Sequence, residues 1–143
     1  MAYTLPNPPK THEHEREKAS NGYLMSMVAA MVGLPFPIIN LLATGLYLLG
    51  QRKQSYFVRF HALQAFYSQL LVIGLNSIAL TWTIRVLAGQ LQISNSYIAY
   101  LVVAALCNII ELVSNIYAAV VTRKGKDLRF WFFGTLTQLT CKP

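Results

Sequence analysis

The chain has 143 residues, of which 55% are hydrophobic and only 12% are charged, and its net charge is +7. A soluble domain carries about 25% charged residues, so this composition excludes intrinsic disorder and a disulfide scaffold and argues against an ordinary soluble enzyme. It predicts an all-α, polytopic transmembrane helical bundle. Because the basic residues stand in short clusters beside apolar runs, we interpret the positive charge as membrane topology and expect no nucleic-acid partner.

The first 20 residues form a polar segment before the apolar part of the chain. Pro6, Pro8 and Pro9 keep its beginning irregular, since proline fixes φ and lacks a backbone N–H. Residues 11–20 combine good helix formers with alternating charge. We see no apolar core of a signal peptide in this segment. The sequence therefore predicts a solvated polar extension over residues 1–20.

The next apolar stretch is interrupted by Pro35 and Pro37. A continuous helix over residues 22–50 would be about 43 Å long at 1.5 Å per residue, which exceeds the ~30 Å hydrocarbon core. Proline removes a backbone donor, clashes with the preceding turn and disfavours helix at the residue before it. Two interpretations follow: one kinked span, or two short helices over residues 21–34 and 36–52 joined by a Pro-rich turn.

Two further spans are predicted over residues 60–84 and 97–122, which completes a transmembrane bundle over residues 21–127. Residues 128–143 form an aromatic segment too short to span, which suits the membrane interface. Three basic residues lie in 51–59 and five lie after residue 121, whereas the connection between the two spans carries only Arg85. The positive-inside rule then places the 51–59 loop and the C-terminus on the cytoplasmic side of a bacterial inner membrane.

Glu111 is the most informative residue, because an ionised carboxylate near the bilayer centre costs several kcal/mol. At about 100° per residue it shares one helix face with Asn108 and Asn115, and the preceding span has a matching face with Ser68 and Asn76. Two polar stripes should face each other rather than lipid. They line a polar path or substrate site, or they pack the helices through interhelical hydrogen bonds. We expect Glu111 to bond to Asn76, Asn108 or Ser68.

The sequence offers no recognised catalytic or metal-binding motif. It contains no phosphate-binding loop, no dinucleotide fingerprint, no zinc-protease motif and no nucleophile elbow. His12 and His14 are two residues apart, so on a helix they point in different directions. We therefore expect a protein that is not an enzyme, with no catalytic residue, no cofactor and no metal site.

One segment carries a resemblance. Residues 55–65 read SYFVRFHALQA, and this segment resembles a signature of small bacterial membrane proteins that are similar to the twenty-kilodalton channel subunit of Tic, the chloroplast inner-envelope translocon. Its motif residues here are Arg59, His61 and Gln64. The resemblance extends roughly over residues 20–133 and implies four helices, both termini cytoplasmic and no known catalytic activity. It favours the hairpin over the kinked span.

The leading hypothesis from the sequence is a non-enzymatic inner-membrane subunit of a larger complex that serves protein translocation or secretion. Three or four short helices enclose little beyond their own packing, so a wide pore would need partners. The alternative is a small-solute or proton transport protein that uses the polar stripe around Glu111. The expected partners are the lipid bilayer and either other membrane subunits or further copies of the chain.

Overall fold

The structure, a computed structural model, describes residues 2–5, 10–33 and 37–141. Within these ranges the chain is mostly helical, with five helices and two short strands. They follow in the order β1 (Ala2–Thr4), α1 (Glu13–Gly33), α2 (Pro37–Gly50), α3 (Tyr56–Leu87), α4 (Asn95–Arg123), β2 (Leu128–Phe130) and α5 (Trp131–Thr140). The four helical segments expected from the sequence correspond to α1 through α4, and α1 begins eight residues earlier than the predicted residue 21.

The two ends of the chain meet in a small sheet, which the all-α prediction did not include. β1 pairs antiparallel with β2, so that Ala2 lies opposite Phe130 and Thr4 lies opposite Leu128. The sequence did not predict this sheet, because strands so far apart in the chain leave no local sequence pattern that indicates their pairing. The sheet continues into α5, whose end is tied to α3 by a hydrogen bond of 2.9 Å between the hydroxyls of Tyr67 and Thr140.

Glycine ends both of the long helices. Gly89 has φ 69° and Gly125 has φ 79°, a left-handed conformation that glycine adopts without steric cost. The N–H of Gly125 donates to the carbonyl of Thr122 at 2.9 Å, and that of Lys126 donates to Val121 at 3.3 Å. This pair of bonds is the Schellman motif, which satisfies the last free carbonyls of a helix. The chain can therefore leave α4 sharply and enter β2.

α2 runs back along α1. The hydroxyl of Tyr47, late in α2, donates to the carbonyl of Lys18, early in α1, at 2.5 Å. The Lys18 ammonium also reaches the side-chain oxygen of Gln54 at 3.1 Å. Because these contacts join the far ends of two consecutive helices, the helices are antiparallel. The sequence predicts the Pro-rich turn at residues 34–37. Residues 34–36 lie outside the described residues, and Pro37 is the first residue of α2.

The bundle is apolar outside, and its interior combines a hydrophobic core with buried polar side chains. Its exposed side chains include many large hydrophobics of α3 and α4, such as Leu71, Ile78, Ile110 and Val113. α3 and α4 are both long and apolar enough to cross a membrane. Of the most apolar 18-residue stretch of each helix, only 6% in α3 and 11% in α4 is buried in the fold. At 1.5 Å per residue they are roughly 48 Å and 43 Å long. This arrangement is that of a membrane protein, because apolar side chains in this pattern belong against lipid.

Close neighbours on two helices should make Gly22 intolerant of a large side chain. A Cβ at Gly22 would lie 3.4 Å from Ala62 Cα and 3.4 Å from Tyr47 Cε1. We expect Gly22→Leu to destabilise the fold by about 1–3 kcal/mol through overpacking, measured as a lower thermal midpoint in detergent. Gly74→Leu is the matched control, because among the described residues nothing lies within 4 Å of a Cβ there. Equal losses for both variants would contradict the packing.

Candidate functional site: two polar clusters inside the bundle

The first cluster is built around the carboxyl group of Glu111 on α4, which is 9% exposed. One oxygen, Oε1, accepts three hydrogen bonds. They come from the Ser68 hydroxyl at 3.3 Å, from the Gln69 amide at 2.5 Å and from the Asn115 amide. Ser68 and Gln69 lie on α3, the helix whose polar stripe was expected to face Glu111. The carboxyl group therefore links α3 to α4.

Ser26 brings the third helix, α1, into this cluster. Its hydroxyl accepts from the Gln69 amide at 2.6 Å and from the Asn115 amide at 3.3 Å. The Gln69 amide of α3 and the Asn115 amide of α4 thus each donate to both Ser26 on α1 and Glu111 on α4. One connected network holds three helices at one depth of the bundle. We call Ser26, Ser68, Gln69, Glu111 and Asn115 the Glu111 cluster.

Asn76 and Asn108 pair with each other rather than with Glu111. Each amide donates to the other's oxygen, at 3.0 Å and 2.8 Å. Further along the two helices, the Tyr100 hydroxyl donates to the carbonyl of Leu75 at 3.1 Å. Of the candidate residues, Glu111, Asn115 and Ser68 therefore share one network. Asn76 and Asn108 form a separate, half-buried bridge between α3 and α4.

The second cluster lies at the start of α3, around His61, whose side chain is fully buried. Its Nδ1 atom lies 2.9 Å from the Tyr23 hydroxyl of α1. The amide of Gln64 donates to the same hydroxyl at 2.8 Å and, at 3.4 Å, to the carbonyl of Leu128 in β2. Two of the three motif residues, His61 and Gln64, thus fix the position of α1 and of the strand after α4.

A buried acid completes this cluster, which we call the His61 cluster. Asp127 Oδ1 lies 3.5 Å from His61 Nε2, without hydrogen-bond geometry. Its other oxygen accepts from the Arg129 guanidinium at 2.9 Å, and that guanidinium stacks over the Phe60 ring at 4.8 Å from the ring centroid. The charged pair is thereby held between α3 and the terminal sheet. The third motif residue, Arg59, is half-buried and lines a different cavity.

Both clusters join helices through mutual hydrogen bonds. Within a membrane such bonds draw helices together, because lipid offers polar groups no partners. Among the described residues, no group of three or more histidine, cysteine, aspartate or glutamate side chains is arranged to hold a metal ion.

Several members of the clusters were not identified from the sequence. Tyr23 and Ser26 lie three residues apart on one face of α1, and counting helix faces there as for α3 and α4 would have revealed them. Asp127 and Arg129 were counted only as tail charges. An isolated acid within a basic segment was the available signal for Asp127. Its pairing with His61 depends on the turn at Gly125 and was not visible in the sequence.

The fold and these clusters define a helical membrane protein with a hydrogen-bonded polar interior. The model of one family, described as the magnetosome magnetite crystal formation protein family, matches residues 19–136. The match runs from α1 into α5, and the chain belongs to this family. Searches of curated proteins and of solved structures returned no match.

The family membership corrects the earlier resemblance to the Tic-type channel subunit, which is wrong. The hypotheses of protein translocation or secretion and of small-solute or proton transport are wrong for the same reason. The segment that suggested the resemblance forms the start of α3, where the His61 side chain bonds to Tyr23 of α1 and that of Gln64 bonds to Leu128 of β2. Apolar helices of similar length and spacing occur in unrelated membrane proteins, so this pattern did not distinguish between families.

The Glu111 cluster leads to a prediction about stability. In Glu111→Gln the side-chain oxygen can still accept from its neighbours, so we expect little change in stability. Glu111→Leu removes the acceptor and should cost about 1–2 kcal/mol, the upper range for polar contacts between membrane helices. Reversible unfolding of the purified protein in mixed micelles measures both variants. A loss for the glutamine variant as large as for leucine would show that the charge itself is required.

Proposed function

We propose that this chain is an integral protein of the magnetosome membrane and that it contributes to magnetite crystal formation without catalysing a reaction. The observation that carries the proposal is the family match over residues 19–136, which includes both internal clusters. The apolar exterior supports the membrane location. The hydrogen-bonded polar side chains support a structural rather than a catalytic role for the interior. Association with other subunits or with further copies stays a prediction.

The proposal includes four membrane-embedded helices with the basic flanks on one side. The contacts of Tyr47 and Gln54 with Lys18 support a hairpin of α1 and α2. In this arrangement the α2–α3 loop and the segment after α4 lie at the same end of the bundle. Both are basic, so the positive-inside rule makes this end cytoplasmic in the inner membrane or in a vesicle derived from it.

The α3–α4 connection then faces the compartment in which the crystal grows. Residues 88–94 are all exposed, and the turn is anchored by backbone bonds from Gln90 and Leu91 to the carbonyl of Arg85 at 3.0 Å and 3.3 Å. Gln90 and Gln92 present amide groups, which both donate and accept hydrogen bonds, whereas the Ser94 hydroxyl accepts from the N–H of Tyr97 at 3.2 Å and caps α4. A hydroxylated iron oxide surface offers matching groups, so we assign crystal contact to this connection.

Topology can be tested with one matched pair of cysteines. In a Cys107→Ala/Cys141→Ala background, Gln54→Cys and Gln90→Cys replace the same residue type at opposite ends of the bundle. We expect a membrane-impermeant maleimide to label residue 54 in intact isolated magnetosomes, and residue 90 only after detergent is added. The reverse pattern would invert the orientation and move the 88–94 segment to the cytoplasmic side.

The role in crystal formation can be tested in a magnetite-forming bacterium that carries this gene. We expect deletion to reduce the mean crystal diameter in electron micrographs and the wild-type gene to restore it. A Gln90→Ala/Gln92→Ala variant should reach the membrane yet restore the diameter incompletely. Gln51→Ala/Gln138→Ala removes the same two side chains away from this connection and should restore the diameter fully. Unchanged crystals after deletion would refute the proposed function, and equal restoration by both variants would refute the crystal contact.

A further inference from the structure

An open cavity of about 550 Å³ lies where the turn after α2 meets the start of α3 and the end of α5. It is lined by two arginines, two leucines, a hydroxyl and a thiol, namely Arg52, Arg59, Leu48, Leu63, Thr140 and Cys141. These residues belong neither to the Glu111 cluster nor to the His61 cluster. The cavity is therefore a separate feature of the bundle.

The wall of this cavity formed by α5 is held in place. The Thr140 hydroxyl lies 2.9 Å from the Tyr67 hydroxyl of α3 and donates to the carbonyl of Leu136 at 2.9 Å. The N–H of Cys141 donates to the carbonyl of Thr137 at 2.7 Å. These bonds fix the end of α5 beside α3, so the cavity has a defined shape.

The electrostatic environment of the cavity is positive. Arg52 is exposed and Arg59 is half-buried. Burial raises the pKa of the Cys141 thiol, and the nearby charge of Arg59 opposes this rise, so the field of Arg59 reaches the cavity wall.

The cavity also combines charge with apolar surface, and the proposed membrane arrangement places it where phospholipid headgroups meet their acyl chains. Arg52 comes two residues after the end of α2, and Arg59 lies in the first turn of α3. Leu48 and Leu63 continue the cavity wall along these helices. Basic pockets between membrane helices bind anionic headgroups, and the planar guanidinium group suits the geometry of phosphate.

We propose that this cavity binds one anionic phospholipid, with Arg52 and Arg59 contacting its phosphate and Leu48 and Leu63 contacting the upper part of an acyl chain. The leucine wall favours a lipid over free phosphate. The site requires that the α2–α3 loop lie at a membrane surface, but it does not require the role in crystal formation. It can therefore be tested on purified protein without mineral.

The test titrates the purified full-length protein in detergent with phosphatidylglycerol, phosphatidylcholine or inorganic phosphate, and native mass spectrometry counts the bound lipid. Both lipids carry the phosphate, but phosphatidylcholine adds a choline cation, which Arg52 and Arg59 repel. We therefore expect one phosphatidylglycerol to bind at least about tenfold more tightly than phosphatidylcholine, a difference of about 1.4 kcal/mol. Arg52→Gln and Arg59→Gln should each weaken phosphatidylglycerol binding by about tenfold. Lys53→Gln is the matched control, because it removes the same charge from the same turn but does not line the cavity. It should change binding by less than about twofold.

A second measurement covers the case in which an arginine variant folds poorly. In a Cys107→Ala background, lipid in the cavity should shield Cys141, so a maleimide should label it several-fold more slowly in phosphatidylglycerol nanodiscs than in phosphatidylcholine nanodiscs. Leu63→Trp, which narrows the cavity and keeps both arginines, should remove this difference.

Three results would overturn the proposal. Equal weakening by Lys53→Gln would indicate diffuse surface charge rather than a built site. Equal binding of the two lipids would exclude selection of an anionic headgroup. Protection of Cys141 by inorganic phosphate alone, to the same degree as by phosphatidylglycerol, would assign the cavity to a free anion.

Discussion

Polar groups inside an apolar bundle must bond to one another, because lipid offers them no partners. This constraint explains the position of Glu111, whose Oε1 accepts from Ser68, Gln69 and Asn115. The Gln69 and Asn115 amides also donate to Ser26 of α1. Moving α1, α3 or α4 would therefore break at least one of these hydrogen bonds. The lateral order of α1, α3 and α4 therefore depends on a few side chains near one depth of the bundle. Apolar contacts alone would allow the helices to slide, since lipid tails are as apolar as leucine.

The His61 cluster applies the same constraint at the end of the bundle. His61 binds Tyr23 of α1, and Gln64 reaches both Tyr23 and the backbone of β2. The terminal sheet is thus anchored to the start of α3 by side chains and to the chain's beginning by strand pairing. The short α5 follows directly, and its contact with Tyr67 shapes the cavity between α2, α3 and α5. Side chains of α3, namely Gln64 on β2 and Tyr67 on Thr140, therefore connect the helical core to the cavity proposed for lipid binding.

The two ends of the bundle differ in a way that suits a membrane enclosing a mineral. The end with the α2–α3 loop carries most of the basic residues and the arginine-lined cavity. The other end carries the exposed 88–94 connection, whose polar side chains are amides and a hydroxyl, with Arg85 as the nearby cation. This asymmetry agrees with the two proposed roles, in which one end binds an anionic phospholipid and the other end contacts the growing crystal.

The sequence by itself determined the membrane class and the approximate positions of the apolar helices α3 and α4, and it placed Glu111, Ser68 and Asn115 on facing polar stripes. It could do so because hydropathy and helical periodicity are local properties of the chain. Its resemblance to a translocon subunit was wrong, since helix spacing and one short motif do not specify a family. The tertiary structure alone decided that Asn76 pairs with Asn108, that Asp127 meets His61 and that β1 pairs with β2. These contacts join segments distant in sequence, and their partners are selected by how the helices dock and by the turn at Gly125, which no local pattern encodes.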